Sequence, residues 1–358
     1  MTLIRRTAAA ALAAAAVLAL TAGCTAVPAA DDGDGRSVAP AHPSAPAGAG
    51  APRLRGIALP SWAAEDYDSP AAGRYLRDIA ATGAGWVSLT PTWYQSAPGA
   101  ASMHTTGETA SDDSLRRIIR EAHAAGLKVL LKPHVDLPGD QDRAEIRPAD
   151  PAAWFGAYTR FITHYARLAE DLGAEQLSVG TELAGTSRDG ARWRAVVRAV
   201  RRDYRGPLVY AANYDEYAHI PFWDDLDLIG VDAYWPLADR PTTDVGRLRA
   251  AWRPIARQLA GFAARHHRRV LFTEAGYVSQ RGTTTAPWSW TVSARPADDE
   301  QAAAYQALLG AMEGERWWAG VCWWMWDDWP DSGETPARLA YTPHGKPAEE
   351  VLRRWWRR

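Results

Sequence analysis

The sequence predicts a single-domain α/β protein, a closed (β/α)8 barrel over residues 53–358, on three observations. Apolar strand-like runs alternate with amphipathic helix-like runs through that span, with short connections and no internal linker. The alternation repeats through eight strand-then-helix units, which suits a closed parallel barrel better than an open sheet. No glycine-rich phosphate fingerprint follows the first strand, which argues against a dinucleotide-binding fold.

The strands fall at Leu54–Leu59, Trp86–Thr92, Lys128–Asp136, Gln176–Glu182, Leu208–Asn213, Leu228–Tyr234, Val270–Glu274 and Gly320–Trp326. Helices are expected at Ser69–Thr82, Asp112–Ala125, Pro151–Leu172, Ala191–Tyr204, Val245–His266 and Asp299–Glu313. Ser69, Ser111 and Asp150 stand where a side-chain oxygen caps the first turn. Gly83, Gly126 and Gly173 stand where a left-handed residue stops a helix. The fifth and eighth units carry the weakest helix signals.

The first 52 residues lie outside this pattern. Arg5 and Arg6 precede an apolar stretch from Ala8 to Leu20, then small residues and Cys24. This is the secretory pattern, and the stretch is too short to span a bilayer of ~30 Å. Residues 1–23 are therefore expected to be a signal peptide. The cysteine directly after them resembles the bacterial lipoprotein box, which makes Cys24 the lipid-bearing N-terminus; an ordinary signal peptide with an incidental cysteine is the alternative. Residues 24–52 are Ala, Pro, Gly, Ser and Asp with almost no large apolar side chain, a composition that cannot bury enough surface to fold. As a tether it would reach roughly 30 Å. The expectation is an exported protein, lipid-anchored at the outer face of the cytoplasmic membrane and touching the membrane only through that anchor.

Composition narrows the function. The net charge is −2, with no basic stripe, so nucleic acid is excluded as a partner. The second cysteine, Cys322, lies in an apolar run and reads as a core thiol, with no disulfide framework. Eighteen Trp and 13 Tyr stand against five Phe, a skew toward rings with a flat apolar face and a polar edge. Sugar rings stack on such faces, although packing uses them too. A monomer acting on a polysaccharide or oligosaccharide is expected.

In a parallel barrel, chemistry collects at the carboxyl ends of the strands. The third strand alternates, placing Leu130, Lys132, His134 and Asp136 on one side and Val129, Leu131 and Val135 on the other. The polar set then faces the barrel axis near its mouth, where a lone charge is costly. For Lys132 two readings stand: an internal ion pair that organises the site, or direct contact with substrate. The fourth strand ends at Glu182 and the seventh at Glu274. Glycosidic cleavage needs one carboxyl to protonate the leaving oxygen and another to attack or support the anomeric carbon, and at ~5–5.5 Å separation configuration is retained. Two glutamates at the ends of strands four and seven suit that chemistry. Asp232 and Tyr234 share inward parity on the sixth strand, and Asn213 ends the fifth. Trp93 and Tyr94 follow strand two, Tyr277 follows strand seven, and Trp323, Trp324, Trp326 and Trp329 crowd the end of strand eight. One of these last is expected to floor the subsite of the cleaved sugar, with Trp324 and Trp326 as candidates. Trp252, Trp355 and Trp356 read as packing residues. Neither a metal-binding histidine motif nor a serine-hydrolase elbow is present, so no metal and no cofactor are expected.

The stretches RGIALPSW (55–62), TPTWYQS (90–96), LKPHVDL (131–137), SVGTELAG (178–185), GVDAYWPL (230–237) and FTEAGYVS (272–279) follow in order through residues 53–330. Together they resemble glycoside hydrolase family 113, within the retaining (β/α)8 clan whose glutamates lie on strands four and seven. The resemblance implies a β-mannanase-like retaining hydrolase with Glu182 as acid/base and Glu274 as nucleophile. It also implies a hydrogen bond from Tyr234 to the nucleophile. Many clan members place asparagine before the acid/base to bind the sugar 2-hydroxyl, whereas this chain has Thr181, which leaves Asn213 as the candidate for that contact. Mannan, glucomannan, another β-linked glycan and exo action on short oligosaccharides remain open as substrates; the long segment 278–298 is placed to wall off one end of the site. A non-catalytic carbohydrate-binding lipoprotein is the rival reading, and the presence of both glutamates argues against it.

Overall fold

The computed structural model describes residues 53–139, 141–327 and 337–357. The expected signal peptide, Cys24, the tether and Trp329 lie outside the described residues. Among the described residues there are eleven strands: β1 (Leu54–Pro60), β2 (Trp86–Thr90), β3 (Thr92–Gln95), β4 (Met103–His104), β5 (Lys128–Leu131), β6 (His134–Asp136), β7 (Gln176–Thr181), β8 (Leu208–Asn213), β9 (Leu228–Asp232), β10 (Val270–Ala275) and β11 (Trp318–Trp323). Eight of them close a parallel barrel in the order β1-β2-β5-β7-β8-β9-β10-β11. Seven α-helices surround it among the described residues: α1 (Pro70–Ala81), α2 (Asp112–Ala124), α3 (Pro151–Leu172), α4 (Gly190–Asp203), α5 (Val245–His266), α6 (Asp298–Met312) and α7 (Pro347–Trp356). The protein is a single-domain (β/α)8 barrel, as its periodicity predicts.

Three local departures have physical causes. The expected second and third strands each break at a proline, Pro91 and Pro133, whose missing N–H interrupts the ladder. Beyond the breaks, β3 and β6 leave the barrel and pair in a small sheet of order β4-β3-β6. The fifth unit has no α-helix; two 3-10 turns, Tyr217–His219 and Trp223–Asp225, flank Pro221 instead. Ser69 precedes α1 but its hydroxyl makes no capping hydrogen bond, whereas Ser111 and Asp150 accept from the amides of Ser114 and Ala153. Gly173 ends α3 in the left-handed conformation at φ 70°.

The barrel interior away from the mouth is filled by Leu54, Leu130, Val209, Leu271, Ala319 and Cys322. Cys322 is a buried free thiol whose pKa burial pushes up to about 12. Gly320 closes the barrel at φ 127°, where a Cβ would stand 2.0 Å from the Leu54 carbonyl oxygen. Between barrel and helices lies an aromatic layer: Trp154, Trp193, Trp223, Trp252, Trp323 and Trp326 are each less than 2% exposed. Much of the tryptophan skew is therefore packing, since each buried ring removes on the order of 200 Å² from water. Among the described residues no helix is long and apolar enough to cross a membrane.

Candidate active site

The two glutamates reach the mouth by different local routes. Glu274 lies within β10, and Asp232 ends β9 in register beside it. Glu182 follows β7 with φ 54°, a left-handed conformation that a non-glycine residue holds only when its surroundings enforce it. They do so here. The Glu182 amide donates to Ala211 O at 2.8 Å, and the Leu183 amide donates to the Tyr210 hydroxyl at 2.9 Å. Tyr210 in turn donates to Glu216 Oε1 at 2.9 Å, while Glu216 Oε2 accepts the Asn213 amide at 3.0 Å. A buried tyrosine and a buried carboxylate thus pin the turn that aims Glu182.

Lys132, at the proline break after β5, is 0% exposed. Its ammonium donates to Glu274 Oε1 and lies 3.4 Å from Asp232 Oδ2. The other Glu274 oxygen accepts the Tyr234 hydroxyl at 2.6 Å, and Asp232 Oδ1 accepts the Thr273 hydroxyl at 2.6 Å. Of the two readings left open for Lys132, the geometry supplies the ion pair. Burial works against its charge, but Asp232 and then Glu274 outweigh it and hold the lysine pKa above its ordinary value. Asp232 is pushed up to about 7, by burial first and against the pull of Lys132.

Glu182 sits across the mouth in a different setting. Burial, then the charge of Asp232, pushes its pKa well above the ordinary carboxylate value; Arg143 and Lys132 oppose this and Glu274 adds to it. Arg143, on the 3-10 turn Arg143–Glu145, donates to Asp136 Oδ1 at 2.6 Å and to Glu182 Oε2 at 3.3 Å. His134 stacks on Trp324 with ring centroids 6.3 Å apart, and the Lys132 ammonium lies 5.9 Å from the Trp324 ring. Burial, Arg143 and Lys132 hold the His134 pKa well below 6.5, so at neutral pH it is an uncharged ring.

Of the residues singled out from sequence, Lys132, His134, Asp136, Glu182, Asp232, Tyr234, Glu274 and Trp324 converge here. Tyr94 pairs in register with Asp136 on the small sheet, and Asn213 pairs in register with Asp232 at the mouth. Trp93 does not join them: it occupies the opposite face of β3, against Phe161 and Tyr165 of α3. Tyr277 is fully buried and packs against Tyr305 of α6. Trp326 is fully buried too, stacked on His344, and Trp323 stacks on Tyr305. These rings are packed away from the carboxylates, and among the described strand-eight tryptophans Trp324 is the one beside them. Arg143 escaped the sequence reading because its loop carries no pattern tying it to Glu182, 39 residues away. Among the described residues no group of three or more His, Cys, Asp or Glu is placed to hold a metal ion.

A parallel barrel with two glutamates at its mouth, one accepting from Lys132 and Tyr234 and the other raised toward its acid form, is the arrangement of a glycoside hydrolase. The chain belongs to glycoside hydrolase family 113, whose model matches residues 61–346. It is similar to the family 113 β-mannanase AaManA from Alicyclobacillus acidocaldarius, solved in complex with ManMIm, at 30% identity and TM-score 0.76 over 85% of this chain and 97% of that one. A family 113 β-1,4-mannanase solved as a complex is 25% identical, with TM-score 0.74 over 85% of this chain and 99% of that one. No curated protein matches the chain.

Proposed function

We propose that the protein is a retaining β-mannanase that cleaves mannan- or glucomannan-type β-linkages by double displacement, with Glu274 as nucleophile and Glu182 as acid/base. The unequal setting of the two glutamates carries this reading. Glu274 accepts from Lys132 on one oxygen and from Tyr234 on the other, which fixes the orientation of the attacking group, while Glu182 is held toward the protonated acid. In the first step a Glu274 oxygen bonds to the anomeric carbon, the bond to the leaving oxygen breaks, and that oxygen takes the Glu182 proton. In the second, water gives a proton to Glu182 as its oxygen bonds to the anomeric carbon and the ester to Glu274 breaks. Esterification neutralises Glu274, which removes one of the charges raising Glu182 and suits it to act as base. The two mannanases named above support mannan as the substrate.

Two inversions retain configuration, so NMR of fresh product from a β-mannan is expected to show the β-anomer first, with mutarotation later. Initial α-product would overturn the mechanism, and activity confined to a β-1,4-glucan in a panel of β-glycans would overturn the substrate. We also infer, from residues 1–52, export and lipid anchoring at Cys24. A Cys24→Ala protein is expected to lose lipid labelling and to stop partitioning with membranes; equal membrane retention of both forms would refute the anchor.

A further inference from the structure

We infer that Trp288, stacked on Tyr214 at the barrel mouth, is the platform of a binding subsite for the departing part of the substrate and takes a β-linked mannopyranose unit on its ring face. The inference deepens the β-mannanase reading and rests on it. Trp288 is 48% exposed, the one large hydrophobic side chain so exposed among the described residues. A ring left half in water keeps an apolar face with a polar edge open to a ligand.

The ring is also held in place. It stacks on Tyr214 with centroids 6.1 Å apart and planes 21° apart, and Tyr214 packs edge-on against Trp235 at 5.6 Å. The segment that carries it, 278–298, is tied down along its length. The buried carboxylate of Glu300 accepts from the Gly282 amide at 2.9 Å and from the Thr284 hydroxyl at 2.7 Å. Gln280 donates to Trp290 O at 2.7 Å, Leu237 N donates to Thr284 O at 2.9 Å, and the Tyr341 hydroxyl donates to Pro287 O. A platform fixed before binding loses little entropy on docking a ligand.

Position around the barrel identifies the occupant. Trp324 follows β11 and packs edge-on with Trp62, which follows β1. On the other arc between the two glutamates lie β8 and β9, and Tyr214 and Trp235 follow them. A sugar placed on Trp324 and attacked by Glu274 sends its leaving oxygen toward Glu182 on β7, next to β8. The chain beyond that oxygen then passes over Tyr214 and Trp288. A β-mannopyranose presents one face of axial C–H bonds, an apolar surface matched to an exposed indole.

The test compares two substrates: mannohexaose, whose leaving part fills this arc, and β-mannobiosyl fluoride, whose leaving group is a single atom. In Trp288→Ala the ratio of kcat/KM for mannohexaose to kcat/KM for the fluoride is expected to fall about tenfold, with melting temperature unchanged. Trp288→Phe is expected to restore most of the ratio. An unchanged ratio, or an equal loss on both substrates, would overturn the platform. A wild-type protein inert on both would instead overturn the β-mannanase reading, and the inference with it.

Discussion

Replacing Glu274 by alanine is expected to lower kcat/KM by about 10⁴-fold or more on every substrate, because no group remains to form the glycosyl intermediate. Glu182→Ala is expected to fail differently. On mannan, which needs a proton on its leaving oxygen, the loss is about 10²-fold to 10⁴-fold, the range of general acid–base catalysis. With an aryl glycoside that needs no proton, the intermediate still forms and accumulates. Azide then accelerates turnover of Glu182→Ala and yields a β-glycosyl azide, whereas in Glu274→Ala any rescued product is inverted. The wild-type pH profile is expected to be bell-shaped. Its alkaline limb belongs to Glu182, raised by burial and by Asp232, and activity falls as pH climbs through that raised value. Identical responses of the two variants to leaving group and azide would refute the assigned roles.

Lys132→Met is expected to produce the largest loss of stability of any single site substitution. It leaves the carboxylates of Asp232 and Glu274, 0% and 5% exposed, without the cation both contact. Removing one partner of a buried ion pair costs about 3–5 kcal/mol at neutral pH. The loss should depend on pH in a defined direction. Asp232 binds its proton more tightly folded than unfolded, so its contribution to stability is complete below 3.8 and is lost as pH climbs through about 7. Lys132 pulls Asp232 down; without it the upper end of the window rises while the lower end stays at 3.8, and the variant should regain stability as pH falls. Urea denaturation at several pH values measures this. A loss below ~1 kcal/mol at pH 7, or one independent of pH, would show that Lys132 does not compensate these charges. Adding Asp232→Asn to the lysine variant should recover part of the loss, because one of the stranded charges goes with it.

The barrel and the two glutamates were legible because both rest on local periodicity. Alternation with period two sorts Leu130 and Lys132 from Val129 and Leu131, and it carries His134 and Asp136 to the mouth even though Pro133 breaks the strand. The same reasoning could not sort the aromatics. Trp93 and Tyr94 are neighbours in sequence yet lie on opposite faces of β3, and which face meets α3 depends on how that small sheet docks.

What the sequence determined by itself was the order of elements, the carboxyl ends of the strands, and the two strand ends that carry Glu182 and Glu274, since each depends on residues close together in the chain. Only the tertiary structure decided that Arg143 joins Asp136 to Glu182, that Lys132 serves Glu274 and Asp232 from 142 and 100 residues away, and that Trp324 faces the site while Trp323 stacks on α6 and Trp326 on His344. Those outcomes depend on closure of the barrel, which brings distant strand ends within hydrogen-bonding reach. Charge pairing and ring stacking act over a few ångströms of space, and separation along the chain does not report that distance.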